Sequence, residues 1–481
     1  MNLFSKRTQD FLNQPLVVGR RGKYRFFPKF GVSTNSRQYH TYVVGLTGSG
    51  KSRFLQNCIL QDIRSGRGCG LIDPHGDLAR DVLTALVGSS KRKDNNGIDR
   101  IVYVAPRQRN YILPFNVLSR TDTDLDTYEI SQRVISAFMR TWARSLLEPP
   151  RFQQIMRASL AALIETKKTL CDLYDFLTRD DYRQDLLDSI PDPKVKADCL
   201  RFFKNEYDHW GRDRSAMISS TTNKVTALTD NPNLFFMLGQ KENHLDIRKI
   251  MDEGKILIVD LGDCDDETKR LIGTLIVTGF EQAALSRSRV SLSERRAFYL
   301  YIDEFQDFAC HPGAAETFSH MLSQVRKFGL HLTLANQSIA QLSKGLQTAL
   351  SNAQTLISFR VSRTDAEVLA KIMGSIDLMA IKRESQNEVQ HPLFYPLYEQ
   401  WEGFIQHLIH QKVRQATIRS ADGRQSVIWS EKTPKSNCTQ NELHQVIDSI
   451  MAKNGVPFSE VKKLLIPNTD SNHDNNQPYT F

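Results

Sequence analysis

The sequence lacks a long apolar run, a cysteine pair and a strong excess of one charge. None of its stretches approaches the roughly 18 apolar residues of a membrane-spanning helix, and its first residues lack the apolar core of a signal peptide. The seven cysteines are scattered, without a C-x-x-C pair or the spacing of metal ligands. These absences predict a protein of the reducing cytoplasm, at most peripheral to a membrane, with no transmembrane segment and no zinc site.

The composition is that of an ordinary globular chain, with 40% hydrophobic and 24% charged residues, and 481 residues predict two or three domains. Lys and Arg exceed Asp and Glu by 63 to 54, a mild excess that permits a polyanionic partner. Within residues 1–40 the only acid is Asp10, against eight basic residues: Lys6, Arg7, Arg20, Arg21, Lys23, Arg25, Lys29 and Arg37. This segment is either a solvated basic face or a contact for nucleic acid or anionic lipid.

Short apolar runs alternate with helical patterns along most of the chain. The runs predict strands at 41–45, 70–72, 101–104, 255–260, 298–303, 331–335 and 355–359. This alternation predicts an α/β fold with a mostly parallel sheet covered on both faces. Turn signals within residues 15–40 predict a small β element before the first strand, and residues 415–430 predict a hairpin with Asp422 and Gly423 in its turn.

Residues 45–52, GLTGSGKS, fit the P-loop pattern G-x-x-x-x-G-K-[ST] at every fixed position, between a predicted strand and a predicted helix. A chance glycine turn would not place all eight residues in this register. Backbone N–H groups and the helix N-terminus would surround phosphate oxygens, Lys51 would reach the β- and γ-phosphates of ATP, and Ser52 would bind Mg²⁺. The candidate nucleotide-binding residues are Gly45, Leu46, Thr47, Gly48, Ser49, Gly50, Lys51, Ser52 and Arg53.

A second signal follows 252 positions after Lys51, where AFYLYIDE predicts an apolar strand that ends in Asp303 and Glu304. We predict that Asp303 holds Mg²⁺ and that Glu304 orients and deprotonates the attacking water. The alternative is an acidic pair that only ends a surface strand, and the P-loop upstream argues against it.

Polar residues also end two other predicted strands. Gln337 ends the segment HLTLANQ, where its amide would sense the γ-phosphate or position water, or else cap a helix. Asp73, His75 and Asp77 follow another strand and either line the same crevice or form a Pro-Gly turn.

Other P-loop classes fit less well. The nearest match to the guanine-specific N-K-x-D pattern is Asn223-Lys224-Val225-Thr226, which lacks the acid. A transport cassette carries its signature before the acidic strand, whereas the look-alike LSKGLQ comes after it. From about residue 122 to 236 the pattern is helical, without a convincing strand, which is too large an insertion for a compact small-molecule kinase. These comparisons favour a large ATP-hydrolysing motor.

Seven segments, in order, carry a resemblance: GLTGSGKS, GLIDPHGDLARDVL, ILPFNVLS, NPNLFFMLGQ, KILIVDLGD, LYIDEFQDF and SQVRKFGLHLTLANQ. Over about residues 16–375 they resemble the nucleotide-binding domain of conjugative type IV secretion coupling proteins of the TraG/TraD type and related HerA/FtsK-like DNA translocases. The resemblance implies a RecA-like P-loop NTPase fold with an all-α insertion, assembled as a hexameric ring that threads DNA using ATP. Lys51 and Ser52 match the family's first motif, Asp303 and Glu304 its second, and Gln337 its third.

The family's ring mechanism also implies an arginine, supplied by the neighbouring subunit, against the γ-phosphate. Arg326, eleven residues before Gln337, matches this position best. Arg360 and Arg363 are alternatives, and Arg326 is otherwise an ordinary surface residue.

The predicted organisation places the N-terminal β element and the first part of the ATPase domain in residues 1–120. Residues 121–236 form an inserted all-α domain, 237–410 the second part of the ATPase domain, 411–465 a C-terminal hairpin and helices, and 466–481 a disordered polar tail.

The leading hypothesis is an ATP-driven DNA translocase in conjugative transfer or related DNA mobilisation. Coupling proteins commonly begin with membrane-spanning helices, and this sequence predicts none. Either a membrane-bound secretion or relaxosome partner therefore recruits the chain, or the chain works on DNA in the cytoplasm. A secretion-assembly or protein-translocating ATPase and a nucleotide-gated adaptor with little turnover are the alternatives. Tyr207 and Trp210, among Lys204, Arg212 and Arg214, are either a DNA contact or an ordinary solvated edge.

Overall fold

A computed structural model describes residues 14–24, 26–90, 97–107, 110–120, 126–142, 149–309, 312–374, 377, 381–383, 393–433 and 438–465. The polar tail predicted for residues 466–481 lies outside this part of the chain, as do Lys6, Arg7, Asp10 and Arg25. The chain divides into two compact units. The first comprises Met1–Ala105, Ser136–Ser145 and Ile247–Val446, and the second Pro106–Ile135, Leu146–Asp246 and Ile447–Phe481.

The strands of the described residues are, in chain order, β1 Leu16–Arg20, β2 Lys29–Val32, β3 Thr41–Val44, β4 Gly68–Asp73, β5 Ile101–Val104, β6 Tyr111–Ile112, β7 Ile256–Asp260, β8 Phe298–Ile302, β9 Leu330–Asn336, β10 Thr355–Ser358, β11 Ile381–Arg383, β12 Leu393–Phe394, β13 Gln415–Arg419, β14 Gln425–Trp429 and β15 Val456–Pro457. All seven strands predicted between residues 41 and 359 are present.

The first unit is built on an eleven-stranded sheet in the order β2-β1-β14-β13-β10-β3-β9-β8-β4-β7-β5. The seven strands from β10 to β5 pair in parallel, and the four on the other side pair antiparallel. The predicted α/β class with a mostly parallel sheet is confirmed. β9 lies between β3 and β8, so the ends of these three strands are neighbours at one edge of the sheet.

The central strands are buried along their whole length: all residues of β4, β7, β8 and β9 are buried. Strands that are buried on both faces have continuous apolar sequences, so they could be predicted from the sequence.

The α-helices of the first unit are Thr34–Arg37, Lys51–Arg64, Asp77–Ser90, Ile247–Glu253, Asp266–Leu285, Gln306–Ala309, Pro312–Gln324, Lys344–Ser351, Arg363–Met373 and Leu397–Ile409. Short 3-10 helices occupy Ile98–Arg100, Ser286–Arg289, Val325–Phe328 and Ile339–Gln341. The helices Thr127–Thr141 and Gln440–Asn454 each have residues in both units. None of the helices in the described part of the chain combines the length and the hydropathy that crossing a membrane requires.

The second unit is mainly helical, as the pattern of residues 122–236 predicts. Its α-helices are Pro149–Glu165, Leu173–Thr178, Asp180–Asp188, Pro193–Phe202, Arg214–Thr229, Pro232–Leu238 and Phe458–Leu465, with shorter turns at Leu170–Asp172, Phe203–Tyr207 and Asp208–Asp213.

The C-terminal residues are divided between the two units, which differs from the single segment 411–465 expected from sequence. The hairpin β13–β14 joins the large sheet, because β13 pairs with β10. In the second unit β15 pairs antiparallel with β6, and the Phe458 ring packs edge-on against Phe236 at 4.9 Å. Contacts distant in sequence therefore decide where each part belongs.

The aromatic and basic cluster near residue 207 is packed within the second unit. Tyr207 is fully buried, its hydroxyl donates to the carbonyl of Leu177, and the guanidinium groups of Arg183 and Arg214 lie over its ring at 4.7 and 5.1 Å. A buried ring with both arginines engaged is not available for base stacking. For Tyr207, the hypothesis of a DNA contact is wrong.

Candidate nucleotide-binding site

The P-loop (residues 45–52) turns sharply between β3 and the helix Lys51–Arg64, which we call the P-loop helix. Gly48 and Gly50 have φ angles of 75° and 108°, a left-handed region that residues with a Cβ rarely adopt. Gly50 caps the helix without a side-chain hydrogen bond, so the first N–H groups of the helix stay available for a ligand. A helix N-terminus with free N–H groups favours an anion.

Lys51 meets the two carboxylates that follow β8, although 252 positions separate them in sequence. Its Nζ forms an ion pair with Glu304 Oε1 and lies 3.4 Å from Asp303 Oδ1. The exposed fractions of the three residues are 5%, 4% and 6% for Lys51, Glu304 and Asp303. The structure thus brings together the P-loop lysine and the acidic pair, by which we mean Asp303 and Glu304.

Two amides hold the Glu304 carboxylate, one on each oxygen. Gln306 Nε2 donates to Oε2 at 2.8 Å and Gln337 Nε2 donates to Oε1 at 3.3 Å. Gln337 directly follows the last residue of β9, the strand that the sequence predicted to end near it. Gln306 was missed, and its position two residues after Glu304 was the one signal available. Glu304 has a φ of 42°, so its backbone lies in the sparsely populated left-handed region.

The site has an excess of negative charge. Burial raises the pKa of Asp303, Lys51 opposes that rise, and the neighbouring carboxylates of Glu304 and Asp73 add to it. One ammonium group thus faces two adjacent carboxylates. Such an unequal set is suited to a divalent cation with oxygen ligands.

Asp73, His75 and Asp77 have different surroundings. Asp73 Oδ1 accepts from the backbone N–H of His75 at 3.0 Å, and Oδ2 accepts from that of Ala79 at 2.9 Å. Burial raises the pKa of Asp73. Its carboxylate therefore fixes the turn that precedes the helix Asp77–Ser90. His75 and Asp77 are exposed.

The candidate arginines lie at different places. Arg326 precedes β9, at the opposite end of that strand from Gln337, is exposed, and stacks on the Tyr39 ring at 4.0 Å. It is therefore not brought to the P-loop of its own chain. Arg360 follows β10, and its carbonyl accepts from the N–H of Leu46 at 2.9 Å.

Arg363 and Arg53 both pair with acids. Arg363 pairs with Glu367 and Glu402, each at 3.0 Å. Arg53, on the exposed side of the P-loop helix, pairs with Asp81 at 3.0 Å. Carboxylates thus engage both guanidinium groups.

Arg414 supports the P-loop and was not visible in the sequence. Its backbone N–H donates to the carbonyl of Ser49 at 2.8 Å, and its φ is 70°. Its guanidinium donates to the carbonyl of Ser430, which links the residue before β13 to the residue after β14. The strands of the C-terminal hairpin are thereby tied to the phosphate-binding turn.

The residues present fit a magnesium nucleotide. The Ser49 hydroxyl is buried and has no hydrogen-bond partner among the described residues, Ser52 is exposed at the start of the P-loop helix, and the acidic pair outnumbers its lysine. An unpartnered donor, an open helix N-terminus and surplus carboxylates match phosphate oxygens and a hard cation.

Comparison with known families gives two matches. Residues 31–279, more than half of the chain, match the family described as "Helicase HerA, central domain". Residues 297–422 match the family described as "TraM recognition site of TraD and TraG". None of the curated protein sequences matches the chain.

Solved structures share the fold. The plasmid coupling protein TrwB in complex with ADP and Mg²⁺ superposes with a TM-score of 0.59 at 16% identity, covering 91% of this chain and 94% of that chain. VirB4 of Thermoanaerobacter pseudethanolicus gives a TM-score of 0.53 at 14% identity, covering 88% and 97%. At these identities the likeness shows the fold alone, a RecA-like P-loop NTPase with an all-α domain.

Proposed function

The chain belongs to the family of the helicase HerA central domain. We propose that it hydrolyses ATP and uses the energy to move DNA. The resemblance to TraG/TraD-type coupling proteins is confirmed by the second family match. The observation that carries the proposal is the convergence of Lys51 with the acidic pair.

The catalytic roles follow from these contacts. The P-loop N–H groups and Lys51 would bind the phosphates of ATP, so Lys51 would exchange its carboxylate partner for phosphate oxygens. Glu304, freed from that ion pair, would accept the proton of the attacking water. Gln306 and Gln337 would fix the orientation of the Glu304 carboxylate, because each of its oxygens accepts one amide hydrogen bond.

Ser52 and Asp303 would hold Mg²⁺, which neutralises phosphate charge when bound. Asp303 is well placed for this role because its carboxylate neighbours Glu304 and Asp73 give the site more negative charge than Lys51 can balance.

We propose that the motor is a homo-hexameric ring in which Arg326 acts on the nucleotide of the neighbouring subunit. Arg326 is exposed and lies at the far end of β9 from Gln337, so it is free to face another copy of the chain. Stacking on Tyr39 holds its guanidinium at the surface.

The expected setting is conjugative transfer or related DNA mobilisation from the cytoplasm, with a membrane-bound secretion or relaxosome partner. The match of residues 297–422 to a TraM recognition site supports a partner of the relaxosome class.

The test is an ATPase assay with titrated single- and double-stranded DNA. We expect DNA to stimulate turnover. Glu304→Gln should lower turnover by roughly 10²-fold or more, the usual contribution of a catalytic base. Lys51→Ala should also lower it, because it removes the ammonium group that binds the phosphates. Glu304→Gln should retain nucleotide binding. Glu460→Gln, an exposed glutamate in the second unit, is the matched control and should turn over normally.

Two outcomes would replace the proposal. Hydrolysis that depends on Glu304 but does not respond to DNA would favour a protein-translocating or assembly ATPase. Slow hydrolysis that is indifferent to both DNA and Glu304→Gln would favour a nucleotide-gated adaptor.

A further inference from the structure

The turn that joins β1 to β2 displays aromatic side chains to solvent. We call its described residues, 21–24 and 26–28, the basic hairpin tip. The exposed fractions of Tyr24 and Phe26 are 60% and 79%. The Tyr24 and Phe26 rings are nearly parallel with centroids 5.7 Å apart, and Phe26 also stacks on Phe27 at 4.5 Å. Exposed rings grouped in this way are unusual on a surface that faces only water.

The backbone of the basic hairpin tip is fixed by hydrogen bonds. The N–H of Arg21 donates to the carbonyl of Pro28 at 3.1 Å, which closes the turn. Arg20 donates to the carbonyl of Phe27 at 2.9 Å and pairs with Glu431 at 2.7 Å, which ties the tip to the end of β14. The exposed rings are therefore presented by a folded segment.

The chain segment that carries these rings is strongly basic, although Glu431 pairs with its Arg20. Between Asp10 and Asp62 the sequence contains no aspartate or glutamate. Lys23 and Lys29 are exposed, and within the described part of the chain neither pairs with a carboxylate. Arg21 adds a third exposed positive charge, with its guanidinium 5.7 Å from the Phe30 ring centroid.

We propose that the basic hairpin tip docks on the anionic surface of a lipid bilayer. Tyr24 and Phe26 would enter the headgroup region, where aromatic rings partition favourably, and Lys23 and Lys29 would contact anionic headgroups. The proposal goes beyond the motor assignment and does not depend on it, because it concerns where the chain resides and not what it hydrolyses.

Single-stranded nucleic acid is the main competitor for a basic, aromatic surface. Bases stack on rings that offer an open face. Phe26 stacks on both Tyr24 and Phe27, so these exposed rings form one apolar group with no room for a base between them. A bilayer interface accepts such a group in any ring orientation, and the observations therefore favour lipid.

The test is co-sedimentation of the full chain with vesicles of phosphatidylcholine alone or mixed with an equal part of phosphatidylglycerol. We expect binding to the mixed vesicles that weakens with salt. The variants Tyr24→Ser/Phe26→Ser and Lys23→Glu/Lys29→Glu should each bind at least about tenfold more weakly, since each lysine near an anionic surface and each inserted ring contributes substantially.

Matched controls keep these results interpretable. Tyr398→Ser removes an aromatic ring that is 71% exposed elsewhere in the first unit, and Lys371→Glu reverses an exposed charge. Both should bind vesicles as the unchanged chain does. The tip variants should keep the ATPase rate of the unchanged chain, which shows that they fold.

A fluorescent variant gives an independent readout. Phe26→Trp should shift to shorter emission wavelengths with mixed vesicles, relative to the unchanged chain, because the indole leaves water.

Three results would overturn the proposal: no sedimentation with mixed vesicles, equal sedimentation of the tip variants, or no wavelength shift. Loss of binding to a single-stranded oligonucleotide in the tip variants, with vesicle binding intact, would assign the tip to nucleic acid instead.

Discussion

The two ends of the P-loop helix carry buried charges of the signs that the helix dipole disfavours. Lys51, a cation, occupies the first turn, and Asp62, an anion, occupies the last. Asp62 is bound by two arginines: Arg37 donates to its oxygens at 2.8 and 2.6 Å, and Arg67 at 3.1 Å. Lys51 instead faces the acidic pair.

The difference lies in how completely each charge is satisfied. Asp62 is fully buried and also accepts from the Tyr301 hydroxyl at 2.6 Å, so four donors occupy its two oxygens. At the other end one lysine is shared by two carboxylates, beside a helix N-terminus without a side-chain cap. The cluster at Asp62, in which donors occupy both carboxylate oxygens, stabilises the fold. The cluster at Lys51, in which carboxylates outnumber ammonium groups, can exchange partners with a ligand.

Matched isosteric changes at the two ends test whether the two clusters differ in their effects on stability and turnover. Asp62→Asn removes the carboxylate that Arg37 and Arg67 share and should lower the free energy of unfolding by about 3–5 kcal/mol, since it breaks a buried ion pair. Glu304→Gln removes one of two repelling carboxylates and should change it by roughly 1 kcal/mol or less, while turnover is lost. Urea denaturation measures both. Equal destabilisation would show that the ends do not differ.

A smaller effect is expected from a residue that orients Glu304. Gln306→Ala removes one of the two amide hydrogen bonds to Glu304, and we expect kcat to fall about tenfold, the value of one hydrogen bond to a charged group. KM for ATP should stay unchanged, because Gln306 orients the base and does not contact the phosphates. Gln184→Ala, at an exposed position of the helix Asp180–Asp188 in the second unit, serves as the control. A rise in KM with kcat intact would contradict the positioning role.

The smallest expected effect concerns pH. Burial raises the pKa of Asp303, so its protonated form stabilises the fold below pH 3.8 and that contribution is lost as pH rises through the raised value. Above this range the carboxylate is charged at a cost to stability, which Mg²⁺ should reduce. Asp303→Asn should flatten the dependence of the urea midpoint on pH, and the added effect of Mg²⁺ should disappear. An unchanged slope would contradict the assignment.

The sequence predicted the elements whose signals are local. Each buried parallel strand appears as a short apolar run, and the P-loop pattern is contiguous in residues 45–52. The acidic pair was recognisable because an apolar strand precedes it directly. That Lys51 and this pair meet follows from the parallel order of β3, β9 and β8, which places three strand ends at one edge.

Other features depend on contacts that no local pattern encodes. β6 and β15 are two residues long and far apart in the chain, so only their pairing with each other identifies them as strands. Asp62 reads as a polar helix residue until Arg37 and Arg67 are placed around it. The positive φ of Arg414 arises from its fit against the P-loop, and arginine has no preference for that conformation.

β9 joins two residues with proposed roles in different active sites. Gln337 follows its last residue and contacts Glu304, and Arg326 lies just before its first. The strand is hydrogen-bonded to β3 on one side and to β8 on the other, so it cannot slide along its axis independently of its neighbours. If the chain forms the proposed ring, this firmly held strand would keep Gln337 of one nucleotide site at a fixed distance from the Arg326 that is proposed to act on the next site.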